Sequence, residues 1–383
     1  MSNRIKIELI AGLLYENGHE VEVLSHGEVI ENRFRFYRGF WEQKLFRPQI
    51  PVYYISSLAI KRLNGFWAAG RAIQFLKKRH QFRPYDLVII FNLKRPEISC
   101  ARYATRKLGI PVILEYEDDA FVDVLGNKGR GLVSRWLDST YMRTINSVSG
   151  CMAVSPHLLS QLLRPVPTLL LRGVIGQDVL TISAQTKAKT NCVVFAGTHI
   201  ESNGVRELIT GWEMAGLPDW ELHITGFGGI TDELRKMAAS RPSITFHGLV
   251  ERKELVRLLC SAKICINPQT ASQTPGNVFA FKIIEYLAAG AHVITTPMGV
   301  LEGDIEHGIT YMRDNKPETI AATLRRVIQN REYERTAADA ALQTYGPDAV
   351  AKSLETLIND VMALNTSGDN PSVTCLQTAD SSV

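Results

Sequence analysis

Residues 277–296 have the sequence Asn-Val-Phe-Ala-Phe-Lys-Ile-Ile-Glu-Tyr-Leu-Ala-Ala-Gly-Ala-His-Val-Ile-Thr-Thr. Four apolar side chains recur in it at the spacing of one helical face: Phe279, Ile283, Ile284 and Leu287. Gly290 follows where a left-handed residue ends a helix, and residues 292–296 are typical of a buried strand. The stretch therefore predicts a turn, a short amphipathic helix and a strand, which is one step of an alternating α/β fold.

Two polar side chains interrupt this apolar pattern, Lys282 in the first helical turn and Glu285 three residues later. A cation in the first turn opposes the helix dipole, which indicates that an anion binds there. Backbone N–H groups at a helix start favour phosphate, and the Glu285 carboxylate could accept hydrogen bonds from a ribose diol. The alternative is a surface helix in which Lys282 and Glu285 form an i,i+3 ion pair.

The same stretch resembles the nucleotide-binding signature of the family 4 (group 1) retaining glycosyltransferases. In that family, two Glu residues separated by seven positions bracket the turn and the helix, and Ala-x-Gly-x-Pro-Val-Ile follows. Glu285 matches the second Glu, whereas Asn277 replaces the first and His292 occupies the Pro position. The resemblance implies an α/β protein of the GT-B fold, in which two doubly wound Rossmann-like domains face a central cleft.

The composition is that of a globular enzyme. The 383 residues are 45% hydrophobic and 21% charged, and they contain no run of about 18 uncharged apolar residues that would predict a membrane span. The N-terminal residues lack the apolar core of a signal peptide. Six cysteines show no metal-ligand spacing, and most of them lie in apolar surroundings, which favours buried, reduced thiols of a cytoplasmic protein: Cys100, Cys151, Cys192, Cys260, Cys265 and Cys375.

Positive charge is concentrated in residues 33–85, which hold 12 Lys or Arg, 13 aromatic residues and one acidic residue, Glu42. One interpretation is an anionic membrane surface as partner, with cations at the headgroups and aromatic rings at the interface. A nucleic-acid partner is not expected, because no recognisable reader motif accompanies the charge. The third interpretation is a solvated face above ordinary core aromatics.

A candidate catalytic site follows the strand predicted at residues 111–115. Glu117 and Asp118 come at the carboxyl end of this strand, where open α/β sheets place ligands. We interpret either carboxylate as a contact to the transferred sugar or to the acceptor hydroxyl, in place of a His-Asp pair that the family often has there. A metal site and a solvated acidic loop are the alternatives, although the resemblance implies no essential metal.

The order of these segments predicts two domains and a tail. Residues 1–172 are expected to form an acceptor-side Rossmann-like domain, residues 173–364 a nucleotide-sugar-binding Rossmann-like domain, and residues 365–383 a disordered tail. Residues 176–190 are polar and weakly patterned, which is consistent with a connection between the two domains.

The N-terminal residues resemble the second half of the family's opening βαβ unit. A helix over residues 5–16, Gly18 and a strand over residues 20–24 match that passage. The first strand and the glycine-rich loop that precede it in the family are absent, and we expect that the sequence is truncated there.

The resemblance also defines a predicted donor site. The family's Arg and Lys that grip the donor diphosphate are replaced by Thr198 and Asn203, which forgoes charge-assisted bonds of about 1.5–3 kcal/mol each. Lys282, with Arg172 as a second candidate, is expected to supply the missing positive charge. The predicted donor-binding residues are Gly197, Thr198, Asn203, Gly226, Gly248, Val250, Phe279, Ala280, Phe281, Lys282 and Glu285.

These features predict a hexosyltransferase-type enzyme of polysaccharide biosynthesis. It would move a sugar from a nucleotide-diphosphate donor to a glycan or lipid-linked hydroxyl, with retention at the anomeric carbon. The predicted catalytic residues are Glu117, Asp118, Asn277 and Lys282. No cofactor or metal is expected besides the nucleotide-sugar substrate, and the protein is expected in the cytoplasm, on the inner face of the cell membrane if the membrane interpretation holds. The alternatives are a non-catalytic nucleotide-sugar-binding protein and a sugar-nucleotide epimerase.

Overall fold

A computed structural model describes most of the chain. The described residues are 2–26, 35–42, 50–117, 140–269, 279–297, 305 and 307–366. Two predicted catalytic residues, Asp118 and Asn277, lie outside the described residues, as do Cys375 and positions 367–383 of the predicted tail.

The chain divides into two compact units. The first unit contains residues 21–170 and the chain from residue 353 onward, and the second unit contains residues 1–20 and 171–352. The opening helix therefore groups with the second unit, and the last helix begins in the second unit and ends in the first. The domain boundary that the sequence predicts after residue 172 stays a prediction.

Helices and strands alternate along the chain. The α-helices are α1 Ser2–Glu16, α2 Lys61–Phe82, α3 Arg95–Tyr103, α4 Pro156–Ser160, α5 Gln177–Gln185, α6 Val205–Ala215, α7 Thr231–Ala238, α8 Arg252–Ser261, α9 Lys282–Ala288, α10 Pro317–Gln329, α11 Ala338–Tyr345 and α12 Pro347–Thr366. The strands are β1 Val23–Ser25, β2 Phe36–Tyr37, β3 Phe40–Glu42, β4 Val52–Tyr54, β5 Ser57–Leu58, β6 Val88–Phe91, β7 Val112–Tyr116, β8 Gly150–Ala153, β9 Thr168–Leu170, β10 Thr190–Ala196, β11 Glu221–Thr225, β12 Ile244–Gly248, β13 Ala262–Asn267, β14 His292–Thr295 and β15 Ile309–Tyr311. A π-helical turn, Ala104–Leu108, extends α3.

The first unit contains a parallel sheet of four strands in the order β6-β7-β8-β9. Strand β7 lies inside this sheet and all five of its residues are buried, including Glu115, as is typical of a parallel strand covered on both faces. A second sheet has the order β1-β4-β3, in which β3 runs antiparallel to β4. Strands β2 and β5 form a separate antiparallel pair.

The second unit contains a parallel sheet of six strands in the order β12-β11-β10-β13-β14-β15. Apolar side chains from β10, β11, β13 and β14 pack with those of α6, α7 and α10 into one core. The strand order of the sheet reverses at β10. Strands β11 and β12 lie on one side of β10, and β13 to β15 lie on the other. Open α/β sheets of this kind bind ligands at the carboxyl ends of the strands beside that point.

The structure confirms the elements predicted from residues 277–296. Helix α9 begins at Lys282, Gly290 has a φ of 72°, and β14 pairs in parallel with β13 and β15. Phe279 lies before the helix rather than on its apolar face, since residues 279–281 are not helical.

The segment 176–190, which the sequence indicates only as a connection, contains helix α5. Val179 of this helix is fully buried, and Asp178 in its first turn accepts hydrogen bonds from Arg252, so distant residues stabilise a locally polar sequence. Tertiary contacts of this kind override a weak local pattern.

Lys189 joins the ends of three elements in the second unit. Its Nζ donates to the carbonyl oxygens of Cys260 at 2.8 Å, Ala262 at 3.0 Å and Ala289 at 2.9 Å. Two of these oxygens lie at the C-terminal ends of α8 and α9, where a cation also interacts favourably with the helix dipole. Burial lowers the pKa of Lys189.

We expect Lys189→Met to lower the free energy of unfolding by about 2 kcal/mol, because it leaves three carbonyls without their charged donor. Urea denaturation of the wild type and the variant measures this difference. Lys187→Met is the matched control, since Lys187 is exposed two residues earlier and its replacement is expected to change stability by less than about 0.5 kcal/mol. An equal loss in both variants would contradict the assigned role of Lys189.

Candidate functional site

Three glycines end neighbouring strands at one edge of the six-stranded sheet. Gly197 follows β10, Gly226 follows β11, and Gly248 ends β12. The Gly226 amide donates to the Gly248 carbonyl at 2.8 Å, and a Cβ at Gly226 would lie 1.8 Å from the Gly197 carbonyl oxygen. Only glycine permits this close approach of backbone to backbone, so the three turns form one compact edge.

Lys282 lies at this edge. Its Nζ is 3.0 Å from the position that a Cβ on Gly197 would occupy and 5.0 Å from the centre of the Phe195 ring. The side chain is half-buried, and burial lowers its pKa to about 8. Among the described residues, no hydrogen-bond acceptor or carboxylate pairs with Nζ, which instead lies over the Phe195 ring. The site therefore contains a cation that the described side chains do not neutralise.

Helix α9 is attached to the sheet next to this lysine. The Tyr286 hydroxyl accepts a hydrogen bond from the Ala196 amide at 3.0 Å and is 3.1 Å from the Ala196 carbonyl, to which it donates. Tyr286 is fully buried, and its pKa is raised by that burial. This pair of bonds fixes the start of α9 beside the end of β10, which positions Lys282 over Gly197.

The three residues before α9 have side chains that pack inside the protein, away from solvent. Phe279, Ala280 and Phe281 are all buried. The Phe281 ring packs so closely on Gly173 that a Cβ there would lie 2.6 Å from its Cδ2 atom. Donor binding by these three residues stays a prediction, and their buried side chains would limit it to main-chain atoms.

Glu285 pairs with Arg252 rather than with Lys282. The Arg252 Nη1 and Glu285 Oε1 atoms are 2.6 Å apart, with an angle that makes the contact an ion pair rather than an aligned hydrogen bond. The Arg252 Nε also donates to Asp178 Oδ2 at 2.7 Å. Burial raises the pKa of Glu285, and Arg252 partly offsets the rise. The alternative of an i,i+3 pair between Lys282 and Glu285 is therefore wrong.

The two residues that replace the family's Arg and Lys lie in the turn after β10. Asn203 is buried, and its Nδ2 donates to the Thr198 carbonyl at 2.6 Å. Thr198 is exposed. Gly204 follows with a φ of 67° and lies so close to Pro268 that a Cβ would be 2.2 Å from its carbonyl oxygen. Asn203 thus braces the turn, and the side chain of Thr198 faces solvent.

Val250 and Arg172 are the two remaining residues predicted for the donor site. Val250 is half-buried two residues after Gly248. Arg172, the second candidate cation, is buried, and its Nη1 is 3.5 Å from the Tyr345 hydroxyl to which it donates.

Glu117 belongs to the first unit, whereas the other described candidates belong to the second. Its amide donates to the Asn92 side-chain oxygen at 2.8 Å, and Asn92 has a φ of 58° at the end of β6. Glu115 is buried on β7, and Glu97 pairs with His26 at 3.0 Å. Glu97 lies in the first turn of α3, and the sequence pattern did not indicate its pairing with His26.

Sequence reasoning also missed residues of the second unit. Arg252 begins α8 with a cation, the same signal that identified Lys282 at the start of α9. Phe227 and Leu249 each follow one of the edge glycines, and about two thirds of each side chain is exposed. Their exposure cannot be read from sequence, because apolar residues after a strand are more often buried.

The described residues contain no group of three or more His, Cys, Asp or Glu side chains able to hold a metal ion. The five described cysteines are free and buried. In the described part of the chain, no helix combines the length and apolar character needed to span a membrane.

Comparisons with known proteins place this site in a family. Residues 190–330, which contain the glycine edge, Arg252 and α9, match the family model described as glycosyl transferases group 1. Residues 190–330 are a glycosyl transferases group 1 domain. The resemblance stated from the sequence is thereby confirmed, whereas retention at the anomeric carbon stays a prediction. The comparison with curated proteins finds no match.

Solved structures confirm the fold of the whole chain. Sucrose-phosphate synthase from Thermosynechococcus elongatus is similar with a TM-score of 0.70 and 15% identity over 94% of this chain and 93% of that one. A UDP-forming trehalose-phosphate synthase from Burkholderia xenovorans gives 0.63 and 12% over 93% and 96%. Anabaena HepE, in a complex with UDP and glucose, gives 0.56 and 14% over 76% and 81%. The group 1 glycosyltransferase domain thus belongs to a chain with the GT-B fold.

Proposed function

We propose that this protein transfers a sugar from a nucleoside-diphosphate donor to a hydroxyl acceptor, with retention at the anomeric carbon. The observation that supports it most is Lys282, a half-buried cation without a carboxylate partner among the described residues, at the glycine edge of a glycosyl transferases group 1 domain. Such a cation stabilises the negative charge that develops on a leaving diphosphate.

The proposed chemistry needs few groups from the protein. The bond between the anomeric carbon and the diphosphate oxygen breaks with its electron pair on the diphosphate. The acceptor oxygen forms the new bond, and its proton passes to an oxygen of the departing diphosphate. Lys282 and main-chain amides near residues 279–282 would hold the diphosphate. Arg252 would hold the Glu285 carboxylate in place through Oε1, and Oε2 would accept a hydrogen bond from a ribose hydroxyl.

A uridine nucleotide is the first donor to test. Anabaena HepE was solved with UDP and with UDP-glucose, and pneumococcal GtfA with UDP and GlcNAc. Their identity to this chain is 14–16%, so they suggest the probe and do not define the donor.

The experiment combines binding with turnover. Thermal unfolding of the protein is measured with UDP-, GDP- and ADP-sugars, since a ligand of the folded state raises the melting temperature by an amount set by its concentration and affinity. Release of the nucleoside diphosphate from each stabilising donor is then followed with and without simple glycoside acceptors. We expect the sugars of one nucleotide, UDP, GDP or ADP, to raise the melting temperature. We also expect the protein to release the nucleoside diphosphate from such a donor, with transfer of the sugar to an acceptor or to water.

A non-catalytic nucleotide-sugar-binding protein is the second candidate. It is favoured by Thr198, Asn203 and Asn277, which replace charged residues of the family's signature. Stabilisation by a donor without release of its diphosphate in any acceptor mixture would favour this candidate. Failure of every nucleotide-sugar to stabilise the protein would contradict both.

A further inference from the structure

The first unit presents aromatic side chains to solvent in two adjoining segments. Residues 36–41 form an antiparallel ribbon against residues 53–58, and residues 63–67 are the first turns of α2. We refer to residues 36–41 and 63–67 together as the aromatic ridge. The exposed fractions are 55% for Phe36, 56% for Phe40, 60% for Trp41 and 60% for Phe66.

The ribbon is apolar on both of its sides. Phe36 pairs with Leu58 and Phe40 with Tyr54 in one register, so they share a side of the ribbon, and Tyr37 and Trp41 share the other. A strand that covers a core buries one of these sides, but all four residues are exposed here. Within the described part of the chain, no helix or sheet therefore forms a covering layer over either side of the ribbon.

The exposed rings are held in place. Phe36 contacts Trp67 edge to face with 6.1 Å between ring centres, and Phe40 stacks on Tyr54 at 4.6 Å. The indole nitrogen of Trp67 donates to the Ser56 carbonyl at 3.1 Å. These contacts join the ribbon to α2, so the ridge is one ordered surface rather than a set of independent side chains.

Cations surround the ridge and acidic residues are scarce. Arg35 and Arg38 are exposed on the ribbon, and the Arg35 guanidinium lies 5.2 Å from the centre of the Tyr37 ring. The Arg95 guanidinium lies 3.7 Å from the centre of the Phe66 ring. Between residues 33 and 85, Glu42 is the one acidic residue in the sequence against 12 Lys or Arg.

We propose that the aromatic ridge binds the surface of an anionic lipid bilayer. Rings that project on both sides of a ribbon suit insertion among lipid headgroups, because Trp and Tyr combine an apolar ring with a polar group and Phe adds a purely apolar ring. Arginines beside the rings then pair with lipid phosphates. A flat protein interface would leave one side of the ribbon uncovered, whereas a fluid headgroup layer contacts both sides. This inference goes beyond the proposed sugar transfer and does not depend on it.

Flotation of the full chain with lipid vesicles tests the proposal without any measurement of turnover. The vesicles contain phosphatidylcholine alone or with a quarter phosphatidylglycerol, at 50 mM and 500 mM salt. We expect the protein to float with the anionic vesicles at low salt. Binding to these vesicles is expected to fall at least fivefold at high salt, because screening weakens the attraction.

Two double variants separate the aromatic contribution from the charged one. Phe40→Ser with Trp41→Ser, and Arg35→Gln with Arg38→Gln, are each expected to reduce vesicle binding about tenfold or more, since one cation near the surface contributes about fivefold. Phe82→Ser is the matched control: Phe82 is 86% exposed on the same helix, about 24 Å along the axis from Phe66. All altered side chains are exposed, and thermal unfolding checks that each variant is folded.

Three outcomes would overturn the proposal. They are failure of the wild type to float with anionic vesicles at 50 mM salt, equal flotation with neutral vesicles at both salt concentrations, and a loss in the Phe82 control as large as in the ridge variants. Release of the bound protein by a neutral oligosaccharide, without an effect of salt, would assign the ridge to a glycan instead. Loss of vesicle binding with nucleotide binding intact would leave the proposed transferase function unaffected.

Discussion

Lys282→Met is expected to weaken the binding of UDP between 10-fold and 100-fold at pH 7. A charge-assisted hydrogen bond to a diphosphate contributes about 1.5–3 kcal/mol, and Lys282 is the candidate donor at the glycine edge. The two positions that hold cations in the family are Thr198 and Asn203 in this chain, so no other cation there would take over the contact. Titration calorimetry with UDP measures the change directly.

Lys282→Arg is the control for this prediction. It keeps a permanent positive charge at the same place, so affinity is expected to stay within about fivefold of the wild type. Thermal unfolding without ligand shows whether either variant has lost stability. Lys282→Met is expected to keep its stability, because methionine fills a half-buried position as well as lysine does. Equal UDP affinity in the wild type and in Lys282→Met would contradict a diphosphate contact by Lys282.

Arg252→Gln is expected to destabilise the second unit by about 3 kcal/mol. Arg252 pairs with Glu285, whose side chain is 9% exposed, and removal of one partner leaves a buried carboxylate without its counter-charge. The figure is at the low end for a buried pair because the Arg252 side chain is itself 31% exposed, which screens the interaction. Urea denaturation at pH 7 measures the loss.

The pH dependence of the same variant gives a second test. Burial already raises the pKa of Glu285 in the folded protein, and loss of Arg252 raises it further. A carboxyl with a raised folded pKa favours folding while it is protonated and loses that contribution as pH rises through the folded pKa. The stability deficit of Arg252→Gln is therefore expected to be smaller at pH 5 than at pH 7.

A double variant and a neighbouring lysine provide the controls. Adding Glu285→Gln to Arg252→Gln removes the uncompensated charge and is expected to restore most of the stability. Lys253→Gln changes an exposed cation at the next position and is expected to have little effect. A deficit that persists in the double variant would show that Arg252 stabilises through packing or through Asp178 instead.

The sequence was sufficient for the elements whose pattern is local. Helix α9, the left-handed Gly290 and the buried strands β7 and β14 follow from periodicity and turn chemistry, and all were predicted. Helix α5 was missed, because its stability comes from the burial of Val179 and from the pair between Asp178 and Arg252, 74 residues apart. The ribbon at residues 36–41 was also missed, since exposure on both sides removes the alternation that marks a strand.

In the candidate site, too, the sequence indicated features of a single segment but not contacts between distant segments. Lys282 was identified because a cation at a helix start conflicts with the helix dipole, and this conflict is visible in one segment of sequence. The pairing of Glu285 with Arg252 was not predicted, because it joins two helices that only the sheet brings together. The buried, bracing role of Asn203 was equally invisible, as it depends on the path of the turn from Thr198.

The most direct test of the central claim is the affinity for UDP as a function of pH. Burial lowers the pKa of Lys282 to about 8, so the wild-type lysine is charged at pH 7 and loses its proton above pH 8. We predict that wild-type affinity falls up to tenfold per pH unit between pH 8 and pH 9.5, whereas the affinity of Lys282→Arg stays nearly constant. Identical pH profiles in the two proteins would contradict the proposal that this lysine neutralises the donor diphosphate.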